Sequence, residues 1–583
     1  MKEIWSTPMR KLIKYLKGYE KESIIGPLFK LLEACFELLV PLVMARIIDI
    51  GIKNADLPYI LKMGAVLIGF GILGLTCSLT AQYFAAKAAT GFGTELRKDL
   101  FAHINGLSYT ELDTIGTSTL VTRITSDINQ AQAGVNLVLR LFLRSPFIVL
   151  GAVIMAFTIN VKLAWIFVVL VPVLSAVIYG IMMISIPIYK KVQNKLDKVL
   201  LITRENLTGA RVIRAFSRQQ EEMEDFDRES RQLMGIQLRV GRISALLNPI
   251  TYVIVNAAII IVLWFGGKTV YNGIITQGEL IALINYMSQI LLALVALASL
   301  IISFTKASAS AIRINDVFEQ RSDMQEGDQP VQPEKGAPKV SFDKVCFAYK
   351  GNKDSLTNLS FEAASGQTIG IIGGTGSGKS TLVNLIPRFY DVREGAVRMD
   401  GINVKDYPFG QLRRKVGVVP QNAVLFAGSI RENMKWGKKE ATDEEIYRAL
   451  EIAQAREFID GKPEGLDTKI MQGGKNLSGG QRQRLTIARA LVGQPEVLIL
   501  DDSASALDFA TDAKLRRAIT EKTKGMTVFI VSQRATTIRN ADQIIVLDDG
   551  GLAGIGTHQE LFETCEVYKE ICLSQLSEKE LRG

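Results

Sequence analysis

Histidine and cysteine are scarce. Two imidazoles, His103 and His558, and five thiols in 583 residues leave little for chemistry built on either group. Cys35, Cys77, Cys346, Cys565 and Cys572 are odd in number and form no CxxC pair. That excludes a zinc ribbon and argues against a disulfide framework. An apolar core is also missing from residues 1–22, so no cleavable leader is expected there. Instead Leu12, Ile13, Leu16 and Tyr19 alternate with Lys11, Lys14, Lys17 and Lys21, the pattern of an interfacial helix.

Apolar residues make up 48% of the chain and charged ones 22%, with mean hydropathy +0.20. Such a mixture fits neither a disordered chain nor an ordinary soluble enzyme. At about 150 residues per domain the length suggests three or four domains. The net charge of +9 could suggest nucleic acid, so its distribution decides.

The apolar residues concentrate before residue 320. Met63–Ala86, Leu163–Tyr189, Ile243–Gly267 and Leu280–Thr305 carry almost no charge, and each reaches the ~20 residues that a helix needs to cross ~30 Å of hydrocarbon. Ser145–Val161 is shorter and is extended by Val135–Leu143; Ile24–Ile50 is interrupted by Lys30, Glu33, Glu37 and Arg46. Six spans are expected, at about 24–50, 59–86, 135–161, 163–189, 243–267 and 280–305. The short connections near Lys53, Lys162 and Lys268 hold one basic residue each. The opposite side collects Lys2, Arg10, Lys87, Arg97, Lys98, Arg123 and twelve more Lys and Arg between Lys190 and Arg242. Positive-inside logic therefore expects a multi-pass protein of the cell (inner or plasma) membrane with both termini cytoplasmic. On this reading the charge is a topology signal, the lipid bilayer is a partner, and nucleic acid is not.

Two connections of about 50 residues lie on the basic side and read as helix, with turns near Tyr109–Gly116 and Thr208–Phe216. A stalk of extended membrane helices fits them; a small cytoplasmic domain inserted twice is the alternative. Residues 321–338 hold three prolines without periodicity and read as a linker. The expected division is thus 1–320 membrane domain, 321–338 linker and 339–583 soluble domain.

That second part carries a phosphate site. An apolar strand, Gln367–Ile372, leads into Gly373-Gly374-Thr375-Gly376-Ser377-Gly378-Lys379-Ser380-Thr381 and then an apolar helix. This is G-x-x-x-x-G-K-[ST] in its strand–loop–helix setting. Glycines let backbone amides wrap phosphates, the helix N-terminus adds positive potential, Lys379 reaches the β- and γ-phosphates, and the Ser380 hydroxyl suits Mg²⁺. A second apolar strand, Glu496–Leu500, ends in Asp501-Asp502, where a metal-holding carboxylate belongs. ATP and Mg²⁺ are the expected cofactors.

Between these motifs stands Leu477-Ser478-Gly479-Gly480-Gln481, followed by an Arg-rich helix. With six preceding spans, the chain resembles an exporter-type ABC half-transporter from its N-terminal helix to its C-terminal region. The fold class implied is a membrane all-α domain, six helices with long cytoplasmic extensions, followed by a P-loop α/β nucleotide-binding domain. The resemblance implies that Tyr349 stacks on adenine, that Gln421 joins Ser380 and Asp501 at Mg²⁺, and that Asp508 is the D-loop aspartate. It implies that Ser478, Gly479, Gly480 and Gln481 close over ATP held by a second half-transporter. The two turns resemble coupling helices.

Two positions depart from the family pattern. Asp502 stands where a catalytic glutamate is usual, and Gln533, in Val531-Ser532-Gln533-Arg534, where a switch histidine is usual. A shortened carboxylate and a neutral amide should spare binding and impair hydrolysis. The resemblance is then to the degenerate-site subunit of bacterial heterodimeric multidrug exporters, with an amphiphilic small molecule as substrate. An active homodimer exporting lipid or peptide, and an ATP-gated channel or regulatory module, remain open alternatives. Glu33 and Glu37 could attract cationic amphiphiles or simply pair with neighbouring cations. Gln472 lies where exporters often carry a glutamate.

Overall fold

The computed structural model describes residues 11–327, 330–350, 353–503 and 506–575. They divide into two units. One holds the chain up to Asn105 and again from Ser118 to Glu319; the other holds Gly106–Thr117 and everything from Gln320 onward. Residues 1–10, with Lys2 and Arg10 of the topology argument and the start of the interfacial helix, lie outside the described residues.

The first unit is wholly helical. Five helical segments are long and apolar enough to cross a membrane: Leu57–Asn105, Thr117–Ile159, Val161–Thr208, Gln219–Tyr271 and Gln277–Glu319. Each has 43 to 53 residues, far more than the ~20 that span hydrocarbon, so each runs on beyond it. The sixth, Glu20–Arg46, falls short on composition because of its charges, yet its 27 residues reach about 40 Å. Three of those charges are matched inside the unit. Lys30 Nζ lies 2.5 Å from Glu33 and 3.1 Å from Ser78 Oγ, while Arg144 lies 2.7 Å from Glu37.

Val135–Leu143 and Ser145–Ile159 belong to one helical segment, Thr117–Ile159, with a short turn at Phe142 and Leu143. At the N-terminus Lys11 and Leu12 are α-helical and are followed by a 3-10 turn, Ile13–Leu16. The buried residues here are Leu12 and Tyr15, Tyr15 stacking on Phe318 at 6.4 Å, whereas Ile13 faces outward. The second long connection is a helical hairpin. Lys195 and Lys198 on the outgoing helix both grip Glu229 on the returning helix Gln219–Ala245, at 3.0 and 2.8 Å.

In the second unit six strands form one sheet in the order Gly551–Gly556, Gln543–Asp548, Thr368–Gly373, Thr527–Val531, Val497–Asp501, Val416–Val419. All neighbours but the first pair are parallel. Parallel strands with both faces covered need near-continuous apolar runs, and Val497–Asp501 and Thr527–Val531 are buried at every position. A smaller antiparallel sheet is built on Val340–Phe347, flanked by Leu356–Ala363 and Glu394–Met399. The segment 321–338 has no helix or strand among its described residues, but it is tied down. Arg388 donates to Gln325 O at 2.8 Å, Phe409 N to Glu326 at 2.7 Å, and Gln411 brackets Val331 from both sides.

Candidate nucleotide-binding site

Three neighbouring parallel strands, Thr368–Gly373, Thr527–Val531 and Val497–Asp501, end at one edge of the large sheet. The chain leaves them as Gly373–Lys379, as Ser532-Gln533, and as Asp501-Asp502. Crevices at the carboxyl ends of parallel strands are where α/β folds bind ligands. Backbone bonds hold the three exits together: Asp502 N donates to Val531 O at 3.0 Å and Ser532 N to Ile371 O at 3.1 Å.

The phosphate loop is preformed. Gly376 and Gly378 have left-handed φ angles of 86° and 92°, a conformation that costs glycine little. A Cβ on Gly378 would also lie 2.6 Å from Leu356 Cδ2, so the turn is closed to other residues twice over. Helix Lys379–Leu385 follows, with its free amides facing the loop. Lys379 Nζ donates to Gly373 O at 2.9 Å and Gly374 O at 2.6 Å, holding the ammonium beneath an exposed arch of Gly374, Thr375 and Gly376. Burial pushes this ammonium below its ordinary pKa, and the carboxylates of Asp502 and Asp501 oppose the shift. Ser377 is buried at 3.4 Å from the same nitrogen.

The Ser380 hydroxyl donates to Asp501 Oδ1 at 3.0 Å. Asp501 is buried, which raises its pKa; the Ser380 bond pulls it down and the Asp502 charge pushes it up. Gln421 Nε2 donates to Asp502 Oδ2 at 3.3 Å, so the Gln421 amide and the residue after Asp501 share one edge. This convergent set of hydroxyl, amide and carboxylate oxygens fits a hard cation such as Mg²⁺. Asp502 has φ = 45°, the left-handed region that aspartate tolerates better than most side chains.

Tyr349 is half-buried. Its hydroxyl lies 3.1 Å from Thr381 Oγ1 on the first turn of the loop's helix, and its ring meets Phe347 and Tyr390 edge-on at 4.9 and 5.3 Å. Tyr390 in turn donates to Asp113 Oδ2 at 2.7 Å and lies 6.0 Å from Tyr109. Burial and the Asp113 contact both raise the Tyr390 hydroxyl's pKa. Helix Tyr109–Ile115, one of the two expected turns, thus reaches the nucleotide edge through Tyr390 and Tyr349. Sequence reasoning singled out neither Tyr390 nor Asp113, because neither belongs to a motif.

The signature lies apart from this loop. Among the described residues no hydrogen bond or ion pair joins Ser478–Gln481 to Gly373–Thr381. Ser478 is the N-cap of helix Gly479–Val492 in a capping box, its own N–H donating to Gln481 Oε1 at 3.0 Å and its Oγ accepting from Gln481 N at 3.3 Å. Gly480 packs on the D-loop, where a Cβ would lie 3.2 Å from Ala506 O. Asp508 caps the next helix, Phe509–Lys522, accepting from Thr511 N at 2.9 Å and Thr511 Oγ1 at 2.8 Å; these bonds hold its carboxyl below the usual range. Ala504 and Ser505, the start of the D-loop, lie outside the described residues. Gln533 is exposed at the strand exit, and Gln472 is exposed in the short turn Gln472–Gly474.

Residues 23–294 match the ABC transporter transmembrane region and residues 356–505 the ABC transporter domain. An uncharacterized ABC transporter ATP-binding protein of Bacillus subtilis, YfiB, is 38% identical over 97% of this chain and 98% of its own length. The chain belongs to the ABC transporter family. It is an exporter-type half-transporter: a helical membrane domain fused to one ABC ATPase domain, in a multi-pass protein of the cell membrane whose ATPase drives transport. The ATP-dependent lipid A-core flippase of Desulfotalea psychrophila is 32% identical over 80% of this chain and 82% of that one. A solved bacterial Atm1-family ABC exporter with ATP bound shares the fold with a TM-score of 0.78 at 24% identity, over 96% of this chain and 99% of that chain. ABC exporters work as dimers in a lipid bilayer, so this chain needs a second half.

Proposed function

We propose that this half-transporter pairs with a different half-transporter to export amphiphilic substrates, and that its own ATP site binds nucleotide but hydrolyses it poorly. In this reading the amides of Gly373–Gly378 and Lys379 hold the phosphates, with Thr375, Ser377 and Thr381 completing the loop. Ser380, Gln421 and Asp501 hold Mg²⁺, and Tyr349 stacks on adenine. Bound ATP supplies the transferable γ-phosphoryl group and Mg²⁺ neutralises its charge. Ser478, Gly479, Gly480 and Gln481, with Asp508, serve the partner's ATP.

One juxtaposition carries the reading: an intact, capped signature in a chain whose residues at the hydrolytic edge are Asp502 and Gln533. A glutamate would extend its carboxylate by one methylene beyond Asp502. A displacement of ~1 Å at a reacting centre can cost ~100-fold in rate. Gln533 lacks the charge and proton of an imidazolium. Each half-site would keep what the other needs. The positive-inside distribution supports cytoplasmic termini.

Similarity to lipid A-core flippases favours a second reading, a homodimer that moves lipid. Purified chain, alone and mixed with candidate partner half-transporters, separates the two. Little ATPase activity alone, restored by a partner with an intact glutamate and histidine, supports the heterodimer. Turnover near ~10 s⁻¹ by the chain alone sinks it.

A further inference from the structure

The ring assigned to adenine is held from several sides. Tyr349 is half-buried; its hydroxyl lies 3.1 Å from Thr381 Oγ1, and its ring meets Phe347 and Tyr390 edge-on at 4.9 and 5.3 Å. Phe347 and Tyr390 also meet each other, at 5.6 Å. A ring fixed in this way gives up little freedom when a base stacks on it. Phe347 is buried in strand Val340–Phe347, so the small sheet sets its place. Tyr390 belongs to no helix or strand, so its place comes from loop and side-chain contacts.

Those contacts lie at both ends of the residue. Two positions before it, Arg388 is 2% exposed and pins the backbone. Its guanidinium donates to Gln325 O at 2.8 Å, Lys405 O at 3.0 Å and Asp391 Oδ1 at 2.7 Å. At the far end, the Tyr390 hydroxyl donates to Asp113 Oδ2 at 2.7 Å, on helix Tyr109–Ile115. Burial and this carboxylate both favour the protonated hydroxyl, so it remains a donor at neutral pH. Asp113 is exposed, and its carboxylate has no other hydrogen-bond or ion-pair partner among the described residues. The bond to Tyr390 is what that carboxylate does in this domain.

We propose that Tyr390 is a positioning residue for base recognition: held by Asp113, it keeps the Tyr349 ring in the orientation on which adenine stacks. The proposal rests on the reading of Tyr349 given above and deepens it. Tyr390 acts through Tyr349 and not on the nucleotide directly. The phosphate end is built separately, from the loop amides and Lys379, so loss of the brace falls on the base and spares the phosphates. The base site thereby extends to helix Tyr109–Ile115, a segment remote in sequence from every nucleotide motif.

The test uses the full chain in nanodiscs with Mg²⁺, where ATP and tripolyphosphate each compete against a fluorescent nucleotide. Tripolyphosphate carries the phosphates without a base, so the factor by which ATP binds more tightly reports what the nucleoside adds. Tyr349→Leu should reduce that factor most. Tyr390→Leu removes the bracing ring and should reduce it roughly 2- to 10-fold, the worth of an aromatic edge contact. Tyr390→Phe and Asp113→Ala keep the ring but free it. Each should give a smaller reduction, and together no more than either alone, because both delete one bond. Asp113→Asn keeps an acceptor oxygen and should preserve the factor.

An unchanged factor in Tyr390→Leu overturns the proposal. So does equal weakening of ATP and tripolyphosphate, the mark of general damage to the site. Additive losses in the double variant overturn the part given to Asp113. A factor unmoved by Tyr349→Leu overturns the adenine reading itself, and this proposal with it. If Tyr390→Leu does not fold, exposed Asp113 still decides: an unchanged factor in Asp113→Ala overturns the brace.

Discussion

Gln575, the last residue of helix Glu566–Gln575, clasps the loop of Gln533: its Nε2 donates to Gln533 O at 2.7 Å and its Oε1 accepts from Ala535 N at 2.9 Å. The side chain bridges a donor and an acceptor two residues apart, closing the turn that follows strand Thr527–Val531. A C-terminal element therefore fixes the backbone at Gln533.

Gln575→Ala should loosen that turn without unfolding the domain. Two hydrogen bonds at about 0.5–1.5 kcal/mol each correspond to a ~5- to 150-fold rise in local opening. Hydrogen exchange at residues 532–537 of the full chain measures it. Gln575→Glu keeps the acceptor for Ala535 N and should recover part of the protection. Unchanged exchange in Gln575→Ala would show that the clasp does not restrain the loop.

Removal of Lys379 separates binding from hydrolysis. Lys379→Ala deletes the ammonium stored at Gly373 O and Gly374 O, at a cost of about 1.5–3 kcal/mol if it meets phosphate, or ~10- to 150-fold in affinity. Ser478→Arg should leave binding by the isolated chain within about 2-fold and depress hydrolysis only in the complex, since the signature lies apart from this chain's phosphate loop. Fluorescent-nucleotide titration distinguishes the two variants. Equal losses would mean that the motifs have been paired with the wrong sites.

A third prediction concerns acid stability. Asp400 is buried and accepts from Lys339 at 2.6 Å and Lys415 at 2.7 Å; Glu496 bonds the same two ammonium groups from a more exposed position. Burial alone would raise the Asp400 pKa, but the two lysines outweigh it and hold it below the usual carboxylate value. A depressed folded pKa stabilises above about pH 4, where the unfolded carboxyl is already ionised, and the benefit is lost as pH falls through the folded value. Asp400→Asn should cost about 3 kcal/mol at neutral pH by breaking a buried pair. The gap in thermal midpoint between wild type and variant should narrow below pH 4; a gap constant to pH 3 would show that charge is not its source.

The nucleotide edge was legible in the sequence because its determinants are local. Ile369–Ile372 makes the strand, Gly376 and Gly378 the turn, and Ser478-x-x-Gln481 announces its own helix start. The turns near Tyr109–Gly116 and Thr208–Phe216 were legible because two connections of about 50 residues are too long to lack structure and must run out and return. The contacts made by Gln575, Tyr390 and Asp113 were not, since they join residues 42 and 277 positions apart with no motif at either end. Glu37 is instructive. Its sequence neighbours, Lys30 and Arg46, do not take its charge; the partner is Arg144, 107 residues away across a helix–helix contact. Local spacing cannot choose among cations that folding brings in from elsewhere.

The decisive experiment addresses Asp502 and Gln533 together. If they limit chemistry, Asp502→Glu with Gln533→His should create a second hydrolytic site in a complex whose partner site has been disabled at its catalytic glutamate. The longer carboxylate would reach further toward the attacking water, and the imidazole would help to hold the γ-phosphate. Two features of the structure shape the expectation. Asp502 occupies a left-handed conformation that glutamate tolerates less well, so the single Asp502→Glu change carries a backbone cost of its own. Gln421 already donates to Asp502, so a longer side chain must keep or replace that bond. Groups that act as a unit are non-additive, and the double variant should exceed the sum of the two single ones. In the disabled-partner background the unmodified chain should show at least ~100-fold less turnover than the intact complex, the loss expected of a misplaced carboxylate. Rapid phosphate release there by the unmodified chain would show instead that Asp502 is a competent base and that this site is not impaired.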